Sequence, residues 1–147
     1  MQTALLITDF LMSLKHLNMK SISNYLDFLK EKGKPLSGIS PGSNEMALTV
    51  EDALQALDLI KDNKLIILGG DILSEENNEL IYAYQLWGQE YHDLNWYLTT
   101  EDYERRDYFK SYGIAREGIA NANKIAEQLK KKCYIVFVTE SLAAARD

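Results

Sequence analysis

Apolar residues recur at helical spacing through the first third of the chain, then fall in short continuous or alternating runs. Ile7, Phe10, Leu11 and Leu14 occupy positions i, i+3, i+4 and i+7, and Ile22, Tyr25, Leu26 and Leu29 repeat the pattern. That spacing predicts two amphipathic helices. Gly33 and Pro35 end the second, and residues 34–46, rich in Gly, Pro, Ser and Asn, read as a surface loop. Thr49 then stands as an N-cap with Asp52 three residues on, ahead of a third stripe of Val50, Ala53, Leu54 and Leu57.

The pattern changes at Leu65. Leu65 to Leu68 is a continuous apolar run, as in a strand covered on both faces. Ser74 to Asn78 has turn chemistry, Leu80 to Trp87 is rich in β-forming residues, Gly88 marks another turn, and a third strand is expected over Tyr91 to Leu98. Three strands joined by short turns imply an antiparallel meander. Thr99 or Thr100 should cap a long helix with the stripe Tyr108, Tyr112, Ala115, Ile119, Ala122, Ala126 and Leu129. Gly113 and Gly118, if exposed, each weaken it by ~1 kcal/mol relative to alanine, enough to allow a kink or break there. Tyr134 to Val138 forms a last buried strand, and Leu142 to Asp147 a frayed tail. The expected fold is α+β in the order ααα-βββ-α-β, with helices packed on a single sheet of about four strands, antiparallel or mixed. With no repeat or linker, residues 1–147 form one domain whose residues 1–32 are a helical extension.

Charge sharpens the picture. Between Lys64 and Phe109 ten carboxylates face three cations, more net negative charge than the formal −6 of the whole protein. Ten of the fifteen aromatics lie between Tyr82 and Tyr112. Carboxylates beside large amphipathic rings suit a basic protein partner, and their sign is wrong for nucleic acid or an anionic membrane. Docking candidates are Asp71, Glu75, Glu76, Glu79, Trp87, Tyr91, Asp93, Trp96, Glu101 and Asp102. The N-terminus lacks the charge and cleavage pattern of a secretory signal. No apolar run is long enough to span a bilayer. The single Cys133 forms no internal disulfide, so a reducing, cytoplasmic setting is expected.

Candidate chemistry is thin. Gly38-Ile39-Ser40-Pro41-Gly42 matches the nucleophile-elbow pattern, and Asp71 and His92 follow in hydrolase order. The oxyanion hole, however, needs the backbone N–H after the serine, and Pro41 has none. Gly69-Gly70-Asp71 lacks either nucleotide-binding spacing and reads first as a bulge or a close backbone approach. His16, His92 and Cys133 show no metal-ligand spacing, and Asp62-Asn63-Lys64 reads as a helix-to-strand turn. No catalytic residue, metal or cofactor is expected.

Asn44-Glu45-Met46-Ala47-Leu48, Asp52-Ala53-Leu54-Gln55-Ala56-Leu57, Ile67-Leu68-Gly69-Gly70-Asp71-Ile72 and Trp96-Tyr97 before a helix give the chain its family likeness. Over about Gly33 to Leu129 it resembles the immunity protein 40 family, which accompanies bacterial polymorphic toxins. A cysteine often follows the Trp-Tyr pair in that family; here Leu98 stands there. The resemblance implies an immunity-protein-like domain, a cytosolic and non-enzymatic inhibitor whose partner is a cognate toxin. The charge adds that the toxin should be basic and its active site occluded. Two other readings stand beside this one. A small ligand-binding domain or enzyme centred on Asp71 and His92 would need a pocket joining them, and self-association through exposed rings would make a scaffold.

Overall fold

The computed structural model describes residues 24–36, 39 and 45–141. The expected first helix, Ile22, the tail 142–147 and all of the Gly38–Gly42 motif but Ile39 lie outside those residues. Helix α1 (Tyr25–Lys32) is capped by Asn24, whose side chain accepts from the Leu26 N–H at 2.7 Å. It buries Tyr25 and Phe28, while Leu26 of the expected stripe is exposed. Thr49 caps α2 (Val50–Asp62) as expected, accepting from the Asp52 N–H. The buried face of α2 is Ala53, Ala56, Leu57 and Ile60, with Leu54 turned outward.

The remaining elements are β1 (Lys34–Pro35), β2 (Met46–Thr49), β3 (Leu65–Glu76), β4 (Glu79–Tyr82), α3 (Ala83–Trp87), a 3-10 turn (Gln89–Leu94), β5 (Trp96–Tyr97), α4 (Thr100–Arg105), α5 (Tyr108–Leu129) and β6 (Tyr134–Ser141). The α+β class and single sheet hold, but among the described residues the sheet has six strands in the order β1-β2-β6-β3-β4, with β5 also on β3, and every pairing there is antiparallel. Two strands arise inside and just after the expected loop 34–46, because Lys34 and Pro35 pair with Ala47 and Met46 while Leu48 and Thr49 pair with β6.

Three further expectations are corrected. β3 does not stop at Leu68 but runs to Glu76, and only Asn77 and Asn78 turn. Both have positive φ (54° and 66°), which asparagine tolerates and a two-residue hairpin requires. Leu80 to Trp87 is strand only to Tyr82. A helical turn then carries Trp87 inward until Gly88, at φ 133°, ends it, and the first half of the expected third strand is the 3-10 turn. The long helix breaks ahead of both glycines, at Arg106 (φ 54°), where Asp107 starts α5 by accepting from the Lys110 N–H.

One face of the sheet, through Leu48, Ile67, Ile72, Ile135 and Phe137, packs against α1, α2 and α5. Ala115, Ile119 and Ala122 of α5 meet it, whereas Tyr108 and Tyr112 of the expected stripe are only partly buried. The opposite face carries a smaller cluster of Leu36, Ala47, Leu73, Leu80 and Val136. These two faces divide the candidate residues between them.

Candidate functional site

Side chains alternate along β3, so Gly70 and Asp71 face opposite ways. Gly70 pairs with Trp96 of β5, and a Cβ at Gly70 would collide with the six-membered ring of Trp96. A Cβ at Gly118 of α5 would come within 2.6 Å of Trp96 Cε3. The indole is therefore a slab between strand and helix, with a glycine on each side giving it room. Phe137 meets it edge-on at 6.4 Å. Polar side chains complete the strand's other bonds. Ser111 Oγ accepts from the Ile67 N–H at 2.9 Å and donates to the Ile67 carbonyl at 2.8 Å, and Asn95 Oδ1 accepts from the Ile72 N–H at 2.8 Å. Neither polar clamp was anticipated from sequence, since each joins residues far apart in the chain.

Asp71 stands on the other face. Tyr97, opposite Gly69, and Tyr82, opposite Leu73, flank it on that face. Tyr84 stacks on Tyr82 at 5.7 Å, and His92 meets Tyr84 edge-on at 4.9 Å. Tyr97 is 68 % exposed. Burial raises the Asp71 carboxyl above its ordinary value. Burial first, and the Asp71 charge second, push the Tyr82 hydroxyl up as well. Among the described residues no hydrogen bond or cation satisfies the Asp71 carboxylate. A half-buried anion ringed by tyrosine faces is a seat for a guanidinium or ammonium group. Tyr82, Tyr84 and Tyr97 were not among the docking candidates. Their sequence signal was the aromatic run itself, which does not say which face each ring takes.

The ten candidates separate into distinct environments. Glu76 and Glu79 are exposed at the hairpin end, paired across it, and lack a cation partner among the described residues, as does exposed Asp93 beside His92. Glu75 points inward, its side chain 6 % exposed, with Lys34 and Lys132 as ion-pair partners and the Tyr134 hydroxyl at 3.3 Å. Asp102, 7 % exposed in its side chain, pairs with Lys110 at 2.9 Å. The hydrogen bond from Lys110 holds its carboxyl below the usual range. Trp87 and Tyr91 meet edge-on at 6.1 Å and, with Trp96, pack on the helix-covered core. Glu101 pairs with Arg105. It lies on α4, whose Tyr103, together with Arg106 just past the helix end, contacts Glu140 opposite Ile66. Ile66 to Glu76 is ten residues of strand, so α4 and the hairpin tip lie roughly 30 Å apart along β3.

No hydrogen bond or ion pair joins Asp71 to His92, and burial alone accounts for the shift at Asp71. The open groove at the hairpin, about 350 Å³, is lined by Ile39, Glu76, Glu79, Leu80, Ile81, Tyr82 and Gln85, and by neither of those two. Among the described residues no three His, Cys, Asp or Glu side chains converge as a metal site would. No helix there is long and apolar enough to cross a membrane. Cys133 is half-buried, and burial pushes its thiol up to about 12, out of the nucleophilic range.

No curated protein and no solved structure matches the chain. The family model described as immunity protein 40 matches residues 29–139, a span that takes in the sheet, the Gly69-Gly70-Asp71 strand and the Trp96 slab. The chain thus belongs to the immunity protein 40 family and is an immunity protein directed against a toxin.

Proposed function

We infer that the chain neutralises the cationic C-terminal domain of a secreted toxin in the cytoplasm of the producing cell, by covering the toxin's active site. The docking face is the side of the sheet bearing Asp71, Tyr82, Tyr84 and Tyr97, extended by Glu76 and Glu79 at the tip and by Asp93. One observation carries this reading. The inward carboxylates Glu75 and Asp102 have lysine partners, whereas Asp71, Glu76, Glu79 and Asp93 have no cation among the described residues and sit beside half-buried or exposed rings. Anions left unpaired around Asp71 and at the hairpin tip match a basic partner in sign, steer its approach and suppress like-charged competitors. Family membership suggests the same non-enzymatic, inhibitory role.

Glu75, Trp87, Trp96 and Asp102 then belong to the scaffold that supports the face, and Glu101 lies beyond it. The test is co-expression with the toxin domain encoded beside this chain. The chain should restore growth, and the triple variant Glu76→Lys, Glu79→Lys, Asp93→Lys should fold but fail to do so. Full protection by that variant would place the docking face elsewhere.

A further inference from the structure

The hairpin ends the sheet, and among the described residues no strand lies beyond β4. Glu76 and Glu79 close its two-residue turn, so they are the hydrogen-bonded pair of the ladder, followed by Ser74 with Ile81. The alternate residues, Leu80 and Tyr82, therefore direct their backbone groups away from β3. The Tyr82 carbonyl is taken up as the N-cap of α3. The Leu80 N–H and C=O and the Tyr82 N–H remain, and no hydrogen bond to them is found among the described residues. The groove of about 350 Å³ runs along this same strand, lined by Glu76, Glu79, Leu80, Ile81, Tyr82 and Gln85.

Resting on the function inferred above, we propose that an extended, basic segment of the toxin adds to β4 as a further antiparallel or parallel strand. Backbone pairing to Leu80 and Tyr82 supplies the register, and the groove receives alternate side chains, as in other strand-addition complexes. Charge selects this occupant over a second copy of the chain. Two-fold pairing of β4 with itself would put a Glu79 at each end of one four-residue ladder with Glu76 beside it, adding negative charge and no cation among the described residues. A strand with lysine or arginine opposite Glu79 meets the reverse situation. The edge is only four residues long, which limits indiscriminate pairing and makes the flanking charges decide the partner.

Amide hydrogen exchange of the whole chain, alone and bound to the toxin domain encoded beside it, tests the idea. In the free chain the Leu80 and Tyr82 amides should exchange quickly and Ile81 slowly; in the complex Leu80 and Tyr82 should slow by about tenfold or more. If the complex forms and these two amides are unchanged, strand addition is wrong while the inhibitor reading stands. If no complex forms, the inhibitor reading fails and takes strand addition with it. Concentration-dependent protection of the two amides in the free chain would instead show self-pairing and overturn the basic occupant. A variant pair gives a second route. Tyr82 has φ −60°, which proline adopts, so Tyr82→Pro removes the outward N–H and the ring, and Tyr82→Ala removes the ring alone. Tyr82→Pro should bind about tenfold more weakly than Tyr82→Ala, the effect of one hydrogen bond; equal affinities would overturn the proposal.

Discussion

Asp71 shows how one residue can be costly to the fold and useful to the function. Burial raises its carboxyl pKa above the unfolded value, and no cation offsets the charge. A raised acid binds more protons when folded than when unfolded, so its penalty is present above the folded pKa and is relieved as pH falls through it. Asp71→Asn should therefore raise the thermal midpoint of the isolated chain at neutral pH, and the gain over the parent should shrink as the solution is acidified. The same change should weaken toxin binding, because the seat loses its charge. A lowered midpoint at pH 7, read by calorimetry, would show that the carboxylate is structural. From sequence, Gly69-Gly70-Asp71 read as a close backbone approach set against a chemical role. The structure gives the approach to Gly70, under Trp96, and turns Asp71 to the opposite face.

Among the elements, the contrast between two glycines of α5 is the most testable. Helix propensity alone says that replacing either by alanine stabilises by about 1 kcal/mol. Nothing lies within 4 Å of a Cβ at Gly113, so Gly113→Ala should show that gain. At Gly118 the Cβ would come within 2.6 Å of Trp96 Cε3, and overpacking should outweigh propensity for a net loss of about 1–3 kcal/mol. Denaturant unfolding of both variants separates the cases; equal shifts would mean the slab yields freely. The sequence showed both glycines but not their difference, because Gly70, Trp96 and Gly118 meet only in the folded chain. Its legibility elsewhere followed the same line. Thr49 as a cap, the strand entering at Leu65 and the helical period of α5 depend on neighbours and were readable. The pairing of Lys34 and Pro35 with Ala47 and Met46 depends on a distant strand, and was not. Aromatic residues from Tyr84 to Tyr91 carry β propensity in isolation, yet form helical turns because that brings Trp87 and Tyr91 onto the core.

Taken whole, the molecule is anionic, with a formal net charge of −6. Long-range attraction should therefore set the speed of capture more than the lifetime of the complex. Stopped-flow mixing with the toxin domain should show an association rate that falls by about tenfold or more between low and physiological salt, while dissociation changes little. A rate indifferent to salt would remove electrostatics from the capture step. The acidity of the stretch after Lys64 was plain in the sequence; its division into paired and unpaired carboxylates was not, since each carboxylate's partner comes from a different element. Lys34 from β1 and Lys132 from before β6 both converge on Glu75.

The wedge formed by Trp96 between its two glycines lies roughly 20 Å along β3 from the exposed hairpin. Letters can thus be rewritten at Glu76, Glu79 and Gln85 without touching the keystone. Such an arrangement lends itself to retargeting: a library confined to those positions should yield inhibitors of altered toxin preference that keep the parent's melting behaviour.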